Sequence, residues 1–393
     1  MANKKLFISG DDAVAEGARL ARPHVISAYP ITPQTVAVER LSEFVEDGSL
    51  DAEYIHVESE HSALSAAMGA SSVGARAFTA TSSQGLLYMA EVLPYTSGAR
   101  LPVVMMNANR ALATPWNIYG DQTDSLMLLN SGWIQVYVED AQEALDMIIQ
   151  AYKIAEDENV LIPMMVNLDG FVLTHTYELV EIPEQEKVDE FLPPFKTDNK
   201  MDLDNPKSLC ITAGNNWNLE FKIKQELDMR KSVEVIERVD KEYGDMFGRY
   251  YGGMVDKYRC DDAEYVLVTV GSVTGTARIV VDNMREMGHK VGVLKLRYLR
   301  PFPREVVAEI GSKVKAFGVI DKDISYGYEG TIFTNVNSAL VELKEIPKTM
   351  NFIAGLGGRD ITKENVEDMF IKLMEIANGK EHDRIQFVNV RCE

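Results

Sequence analysis

The sequence predicts an α/β protein made of two parallel-sheet units in series. Three observations predict it. Short apolar runs alternate with helix-period segments from residue 6 onward, an order that implies a mainly parallel sheet with right-handed crossovers. The run Leu101-Pro-Val-Val-Met-Met-Asn107 is continuously apolar, as in a strand covered on both faces. A proline-rich, acidic break then separates this unit from a second alternating region that begins at Asp262.

In chain order, residues 6–10 form a short strand, and Asp11 or Asp12 caps a helix over 13–21 that ends before Pro23. Residues 25–29 are a buried strand halted by Pro30-Ile-Thr-Pro33. Proline disfavours a helical conformation in the residue before it, which holds Tyr29 and Thr32 extended. A helix follows over 34–45. Residues 54–58 alternate as a short strand and pass into an Ala- and Ser-rich helical run reaching Gly69. Residues 77–81 are a strand, followed by Ser82-Ser-Gln-Gly85 and a helix over 86–93. After the apolar strand, residues 108–124 form a polar-aromatic loop whose length inside a compact domain points to function. Residues 133–138 and 160–167 are strands around a helix over 141–156.

Residues 182–195 and 196–206 read as linker, and 219–243 as a long, partly exposed helix. In the second unit, strands over 265–270, 290–296 and 316–321 alternate with helices over 276–287 and from 304, with a turn at Arg300-Pro-Phe-Pro303. A short strand over 352–356, Gly357-Gly358 and a helix over 363–377 close the chain. The expected division is a first domain over 1–195, a connecting segment with the long helix over 196–260, and a second domain over 261–393.

Composition narrows the function classes. A net charge of -20 opposes a nucleic-acid surface, because phosphate binding needs a basic field. No apolar run approaches the length of a membrane span, and the start Met1-Ala-Asn-Lys-Lys has no signal-peptide core. The three cysteines, Cys210, Cys260 and Cys392, are far apart, so a reducing cytoplasm is expected rather than a disulfide framework. An iron–sulfur cluster takes about four thiolates, more than this chain supplies. The six histidines lack zinc-site spacing.

The strand-to-helix stretch Tyr54-Ile-His-Val-Glu-Ser-Glu-His-Ser is the first candidate site. Ser59 is a natural N-cap, and Glu60 falls in the first turn, where the helix dipole favours a carboxylate. An acid at the carboxyl end of a strand suits chemistry in an open α/β sheet, although the same pattern serves a plain helix cap. Glu58, two residues earlier on the same strand face, is the rival acid. Arg110 directly follows the buried strand and opens the long loop, a place for a guanidinium fork aimed at a carboxylate or for a surface ion pair. Gly271-Ser-Val-Thr-Gly-Thr276 lies between a strand and a helix, where backbone N–H groups hold anions or simply make a tight turn. It is neither a P-loop nor a dinucleotide fingerprint.

Several stretches together resemble the α subunit of the 2-oxoacid:ferredoxin oxidoreductases, in particular the pyruvate type. They are Ala28-Tyr-Pro-Ile-Thr-Pro-Gln-Thr35, Val57-Glu-Ser-Glu-His-Ser-Ala63, Gly69-Ala-Ser, Phe78-Thr-Ala-Thr-Ser-Ser-Gln-Gly85 and Arg110-Ala-Leu. Gly132-Trp-Ile-Gln135, Leu168-Asp-Gly-Phe-Val-Leu-Thr-His175, Glu190-Phe-Leu-Pro-Pro194 and Arg300-Pro-Phe-Pro303 extend the match over nearly the whole chain. The resemblance implies a thiamine-diphosphate enzyme that decarboxylates pyruvate oxidatively to acetyl-CoA and passes electrons to ferredoxin. It implies a first domain that holds the cofactor's pyrimidine and a second resembling a transketolase C-terminal domain. By position, Glu60 matches the glutamate on the pyrimidine ring, with Pro30 also at the cofactor, and Thr32 and Arg110 match the residues on the 2-oxoacid.

The residue chemistry agrees. A thiazolium C2 proton is too weakly acidic to leave unaided at neutral pH, and a carboxylate in a dry, preorganised site can drive its removal. The chain lacks a Gly-Asp-Gly motif with paired asparagines downstream, since Gly120-Asp121-Gln and Leu168-Asp169-Gly do not fit it. The diphosphate half with Mg2+ is therefore expected on a β subunit and the [4Fe-4S] clusters on partners of γ and δ type, in a cytoplasmic, anaerobic setting.

Trp116, Tyr119 and Leu128-Leu-Asn-Ser131 depart from the family pattern, facing either an enlarged pocket for an aryl or branched 2-oxoacid such as phenylglyoxylate, or a partner subunit. Two other readings stay open: a thiamine-dependent decarboxylase or carboligase without electron transfer, and a non-catalytic scaffold subunit.

Overall fold

The computed structural model describes residues 4–391, so Cys392 lies outside the described residues. Cys210 is exposed and Cys260 buried, and both are free thiols.

The first half runs β1 (Lys4–Ser9), α1 (Gly10–Ala21), β2 (Val25–Ala28), α2 (Thr35–Glu46), β3 (Glu53–His56), α3 (Glu60–Ser72), β4 (Ala77–Thr81), α4 (Ser83–Tyr88) and α5 (Val92–Gly98). It continues with β5 (Val104–Asn109), α6 (Thr123–Leu126), β6 (Ile134–Tyr137), α7 (Ala141–Ala155), β7 (Met164–Asp169), α8 (Val172–His175), β8 (Tyr177–Ile182) and α9 (Gln185–Phe191). After the long helix α10 (Asn218–Phe247) come β9 (Val255–Tyr258), β10 (Tyr265–Thr269), α11 (Val273–Glu286), β11 (Val291–Leu296), β12 (Tyr298–Arg300), α12 (Arg304–Gly311) and β13 (Ala316–Asp321). Helix α13 (Thr331–Leu340), β14 (Lys348–Ile353), α14 (Lys363–Ala377) and β15 (Ile385–Phe387) complete it.

Two large sheets result, as the alternation implies. The first has the order β12-β6-β7-β5-β4-β2-β3 and the second β15-β14-β13-β10-β11-β9. Both are parallel except at one edge, where β12 runs antiparallel to β6 and β9 antiparallel to β11. Strands β4, β5 and β7 are buried along their whole lengths, which fits their apolar composition and cover on both faces.

Local departures from the sequence reading have physical causes. The cap of α1 is Ser9 rather than Asp11 or Asp12. Ser9 Oγ accepts from Asp12 N at 3.2 Å while Asp12 Oδ2 accepts from Ser9 N at 3.3 Å, a reciprocal capping box. The helix expected over 86–93 is instead split into α4 and α5, because Pro94 has no N–H to continue the first ladder into the second. Within the stretch 182–195 expected as linker, residues 185–191 are ordered as a helix. Strand β8 pairs antiparallel with β1, and α9 buries Val188 and Phe191, its prolines lying only at the flanks. Tyr298–Arg300, ahead of the expected turn, adds an edge strand to the first sheet.

The halves are joined by buried charge as well as by one apolar cluster that runs through both sheets. Glu143 on α7 accepts from Lys295 Nζ at 2.6 Å and Arg297 Nε at 2.8 Å, and all three side chains are buried. Burial raises the Glu143 carboxyl, but the two cations outweigh it and hold the pKa at about 2. Removing one partner of such a group strands the other charges in a medium that solvates them poorly. No helix among the described residues is long and apolar enough to cross a membrane.

Candidate active site

The carboxyl ends of β2, β4, β5 and β7 share one edge of the first sheet. Strand β3 lies to one side of β2 and β4 to the other, so the order reverses there and a crevice opens outside those two strands. The loops around this crevice carry Pro30, Thr32, Glu60 and Arg110.

Glu60 is the first residue of α3. Ser59 is its N-cap, with an extended backbone and Oγ accepting from Ser62 N at 3.2 Å, as expected from the sequence. The Glu60 side chain is only 8% exposed and, among the described residues, forms no hydrogen bond. It lies against α4: a Cβ placed on Gly85 would be 2.6 Å from Glu60 Oε1 and 2.7 Å from Thr81 Oγ1. Glycine is required there by close approach, not by backbone conformation. Glu58 is exposed and accepts from Ser62 Oγ at 2.5 Å, so it braces the helix start outside the crevice.

Arg110 reaches from β5 across to the turn after β2. Its Nη1 donates to Thr32 O at 2.6 Å and its Nη2 to Gln84 Oε1 at 3.3 Å, while Nε is buried without a partner. Burial lowers its pKa, opposed by the charges of Asp124 and Glu60, which places all three within electrostatic reach of one another. Thr32 thus meets Arg110 through its carbonyl, and Thr32 and Pro30 are both exposed. Gln34 pins that turn, its Nε2 donating to Tyr29 O at 2.8 Å and Ala80 O at 3.3 Å.

Sequence reasoning missed Gln34, Gln84, Gly85 and Asp124. Asp124 is fully buried on α6, and burial pushes its carboxyl up to about 6. Its position at the end of the long loop was a signal, but only folding brings it under β4 and β5. The loop itself is fixed to the second half: Asn117 Nδ2 donates to Gly357 O at 3.0 Å, Gly358 N to Gly120 O at 2.7 Å, and Gln122 N to Lys322 O at 2.8 Å.

The departing residues divide. Tyr119 packs on Phe171 of the same chain with ring centroids 4.9 Å apart. Leu129 is a core residue and Leu128, partly buried, packs on the apolar cluster around Trp133. Trp116 remains 73% exposed. The Gly271 turn is a structural turn whose anion is internal. Asp169 Oδ2 accepts from Ser272 N at 2.7 Å and Lys322 Nζ at 2.8 Å, filling the start of α11.

Comparison with known proteins now bears on this geometry. A family model described as "Pyruvate flavodoxin/ferredoxin oxidoreductase, thiamine diP-bdg" matches residues 16–241, and "Pyruvate:ferredoxin oxidoreductase core domain II" matches residues 263–366. The chain belongs to the pyruvate flavodoxin/ferredoxin oxidoreductase family. Within this family it is 50% identical over 362 residues to the pyruvate synthase subunit PorA of Methanothermobacter thermautotrophicus, covering 92% of this chain and 93% of that one. It is 44% identical over 381 residues to the ketoisovalerate oxidoreductase subunit VorA of Pyrococcus abyssi, covering 97% and 96%.

Among solved structures, the 2-oxoglutarate:ferredoxin oxidoreductase from Magnetococcus marinus superposes with a TM-score of 0.73 at 19% identity. That match covers 95% of this chain and 66% of the longer one. A split-gene transketolase, an inactive β4 tetramer, superposes at 0.55 with 13% identity over 94% and 99%. Both show a shared fold: a pyrimidine-binding-type parallel-sheet unit followed by a transketolase C-terminal-like one.

Proposed function

We propose that this chain is the α subunit of a pyruvate synthase, a 2-oxoacid:ferredoxin oxidoreductase that converts pyruvate and CoA to acetyl-CoA and CO2 and delivers an electron pair to ferredoxin. The observation that carries the reading is Glu60, a buried carboxylate without a hydrogen-bond partner among the described residues, in one crevice with Arg110. Buried charges are normally paired, and one left open at a sheet's carboxyl edge calls for a ligand.

The surroundings fit the pyrimidine of thiamine diphosphate. Thr81 Oγ1, Ser82 Oγ and Gln34 Oε1 are buried without partners, and Gly85 lets the Glu60 carboxylate lie close against α4. Glu60 and Pro30 would hold the ring. When bound, thiamine diphosphate supplies the thiazolium carbon that attacks the 2-oxo group. Glu60 would share a proton with the pyrimidine nitrogen through its carboxylate oxygens, in a site dry enough for that hydrogen bond to be strong. Arg110 would take the substrate carboxylate, using the Nε–H left free by Thr32 and Gln84, and the Thr32 hydroxyl would donate to the other end of the substrate.

The diphosphate with Mg2+ belongs, in this proposal, to a β subunit, and the [4Fe-4S] clusters to partners of γ and δ type, consistent with only three cysteines in this chain. The same cysteine usage supports a cytoplasmic location. We place the pyrimidine-binding domain at residues 1–195 and the transketolase C-terminal-like domain at 261–393, joined by 196–260. Identity reaches 50% with a pyruvate synthase subunit against 44% with a ketoisovalerate one, which favours pyruvate.

The test is turnover of the purified multi-subunit complex with CoA, a redox dye and a panel of pyruvate, 2-oxoisovalerate, 2-oxoglutarate and phenylglyoxylate. Pyruvate should be preferred, and Glu60→Ala should abolish acetyl-CoA formation with assembly intact. A preference for another acid would correct the substrate alone. Full activity of Glu60→Ala would remove the mechanism.

A further inference from the structure

Beneath the crevice, on the side away from its mouth, one carboxylate joins the two loops that carry the substrate-facing groups. Asp124 Oδ2 accepts from Ser83 N at 2.9 Å, in the loop after β4, and from Arg110 N at 3.2 Å, in the loop after β5. Its Oδ1 accepts from Asn109 Nδ2 at 2.7 Å and from Ser125 N at 2.8 Å. One buried carboxylate thus bonds two separate loops of the sheet edge through their main-chain N–H groups, and both loops lead to the site.

Ser83 holds a left-handed backbone with φ of 52°, which a non-glycine residue keeps only when its surroundings enforce it. The bond from Ser83 N to Asp124 is one such restraint, and Ser83 Oγ adds a second by donating to Ala111 O at 2.7 Å. That geometry sets the next residue. Gln84 Oε1 lies 2.6 Å from Ser83 Oγ, whose single proton it shares with Ala111 O, and accepts from Arg110 Nη2 at 3.3 Å, closing a ring that runs from Asp124 through both loops and back. The following residue, Gly85, is the floor under Glu60.

We propose that Asp124 is a positioning residue for the oxidoreductase reaction: it fixes Arg110 and the Ser83–Gly85 loop in register, and so sets the orientation of the guanidinium that receives the 2-oxoacid carboxylate. This rests on the reading of Arg110 as the carboxylate-binding group. Asp124 touches no substrate and transfers no proton; it acts through its neighbours. Its acceptor capacity on both oxygens matches a ring of N–H donors, which an amide cannot reproduce, because one oxygen becomes an NH2 group facing other donors. The charge also matters, since the Asp124 carboxylate acts on the Arg110 guanidinium and opposes its desolvation.

The experiment compares Asp124→Asn, Arg110→Lys and the double variant in the assembled complex, reading kcat and KM for pyruvate, the affinity for thiamine diphosphate and the thermal midpoint. Asp124→Asn is expected to raise KM for pyruvate about tenfold, the scale of one lost charge-assisted hydrogen bond, with a smaller change in kcat. Cofactor affinity should stay within about twofold, because the Glu60 backbone does not bond Asp124. The double variant should be no worse than Arg110→Lys by itself, the mark of two residues acting on one function.

An unchanged KM in Asp124→Asn, or effects that multiply in the double variant, overturns the proposal. If Arg110→Lys itself leaves KM unchanged, the reading of Arg110 falls first, which separates the two failures. Should Asp124→Asn not assemble, Asn109→Ala removes one bond to the same carboxylate. A KM raised about threefold then supports the proposal and an unchanged KM overturns it.

Discussion

Gly85→Ala probes the site without changing any charged residue. The added methyl would lie 2.6 Å from Glu60 Oε1, 2.7 Å from Thr81 Oγ1 and 2.8 Å from Glu60 Cγ, all side-chain atoms. Ordinary contact begins near 3.4 Å, so the Glu60 carboxylate must retreat by about 0.8 Å, the gap between the two distances. The rest of the fold is spared, because Gly85 lies within α4 at an ordinary helical φ and alanine is the better helix former by roughly 1 kcal/mol.

Function responds differently. A misplacement of about 1 Å costs on the order of a hundredfold in a positioned catalytic group, or about 2.7 kcal/mol of barrier. The assay is pyruvate turnover by the complex with a redox dye, paired with the rate at which bound thiamine diphosphate exchanges its C2 proton for deuterium. Turnover and exchange should fall together by about two orders of magnitude while the thermal midpoint stays within a few degrees. Wild-type exchange in a folded Gly85→Ala complex would refute the placement of Glu60 against the cofactor.

Other outcomes follow from single contacts. Glu60→Asp shortens the acid by one methylene and should lower kcat at least tenfold in steady-state turnover, with pyruvate KM little changed. Glu58→Gln should leave turnover unchanged, because Glu58 is exposed and braces only Ser62; a loss comparable to that of Glu60→Gln would exchange their roles. Glu143→Ala removes the acceptor for Lys295 and Arg297 and should destabilise the chain by roughly 3–5 kcal/mol in denaturant unfolding. Acid should do the same reversibly. Because the Glu143 pKa is depressed to about 2 from 4.5, its contribution is complete above the unfolded value and drains away as pH falls from 4.5 toward 2. A Glu143→Gln chain should therefore show a shallower loss of stability across that window.

Much of this was legible in the residues. Alternation and the apolar strands determined two parallel sheets, since period and burial are local properties of the chain. The Ser59 cap and Glu60 in its first turn were readable for the same reason, as a cap needs only neighbours in sequence. The prolines around α9 misled, because flanking composition outweighed two buried residues, Val188 and Phe191, whose partners lie far along the chain. Arg110 was visible by its place after a strand, and Glu58 stood as an equal rival to Glu60 until burial separated them.

Tertiary structure alone decided the rest. That Arg110 meets Thr32, that Gly85 presses on Glu60, and that Asp169 rather than a ligand fills the Gly271 turn all depend on which loops the sheet order makes adjacent. Asp124 is the clearest case, an unremarkable acid in a polar loop until the fold buries it beneath two strands and surrounds it with donors. Sequence spacing records local geometry, whereas desolvation and long-range hydrogen bonding, which turn a carboxylate into a working part, exist only once the chain has closed around it.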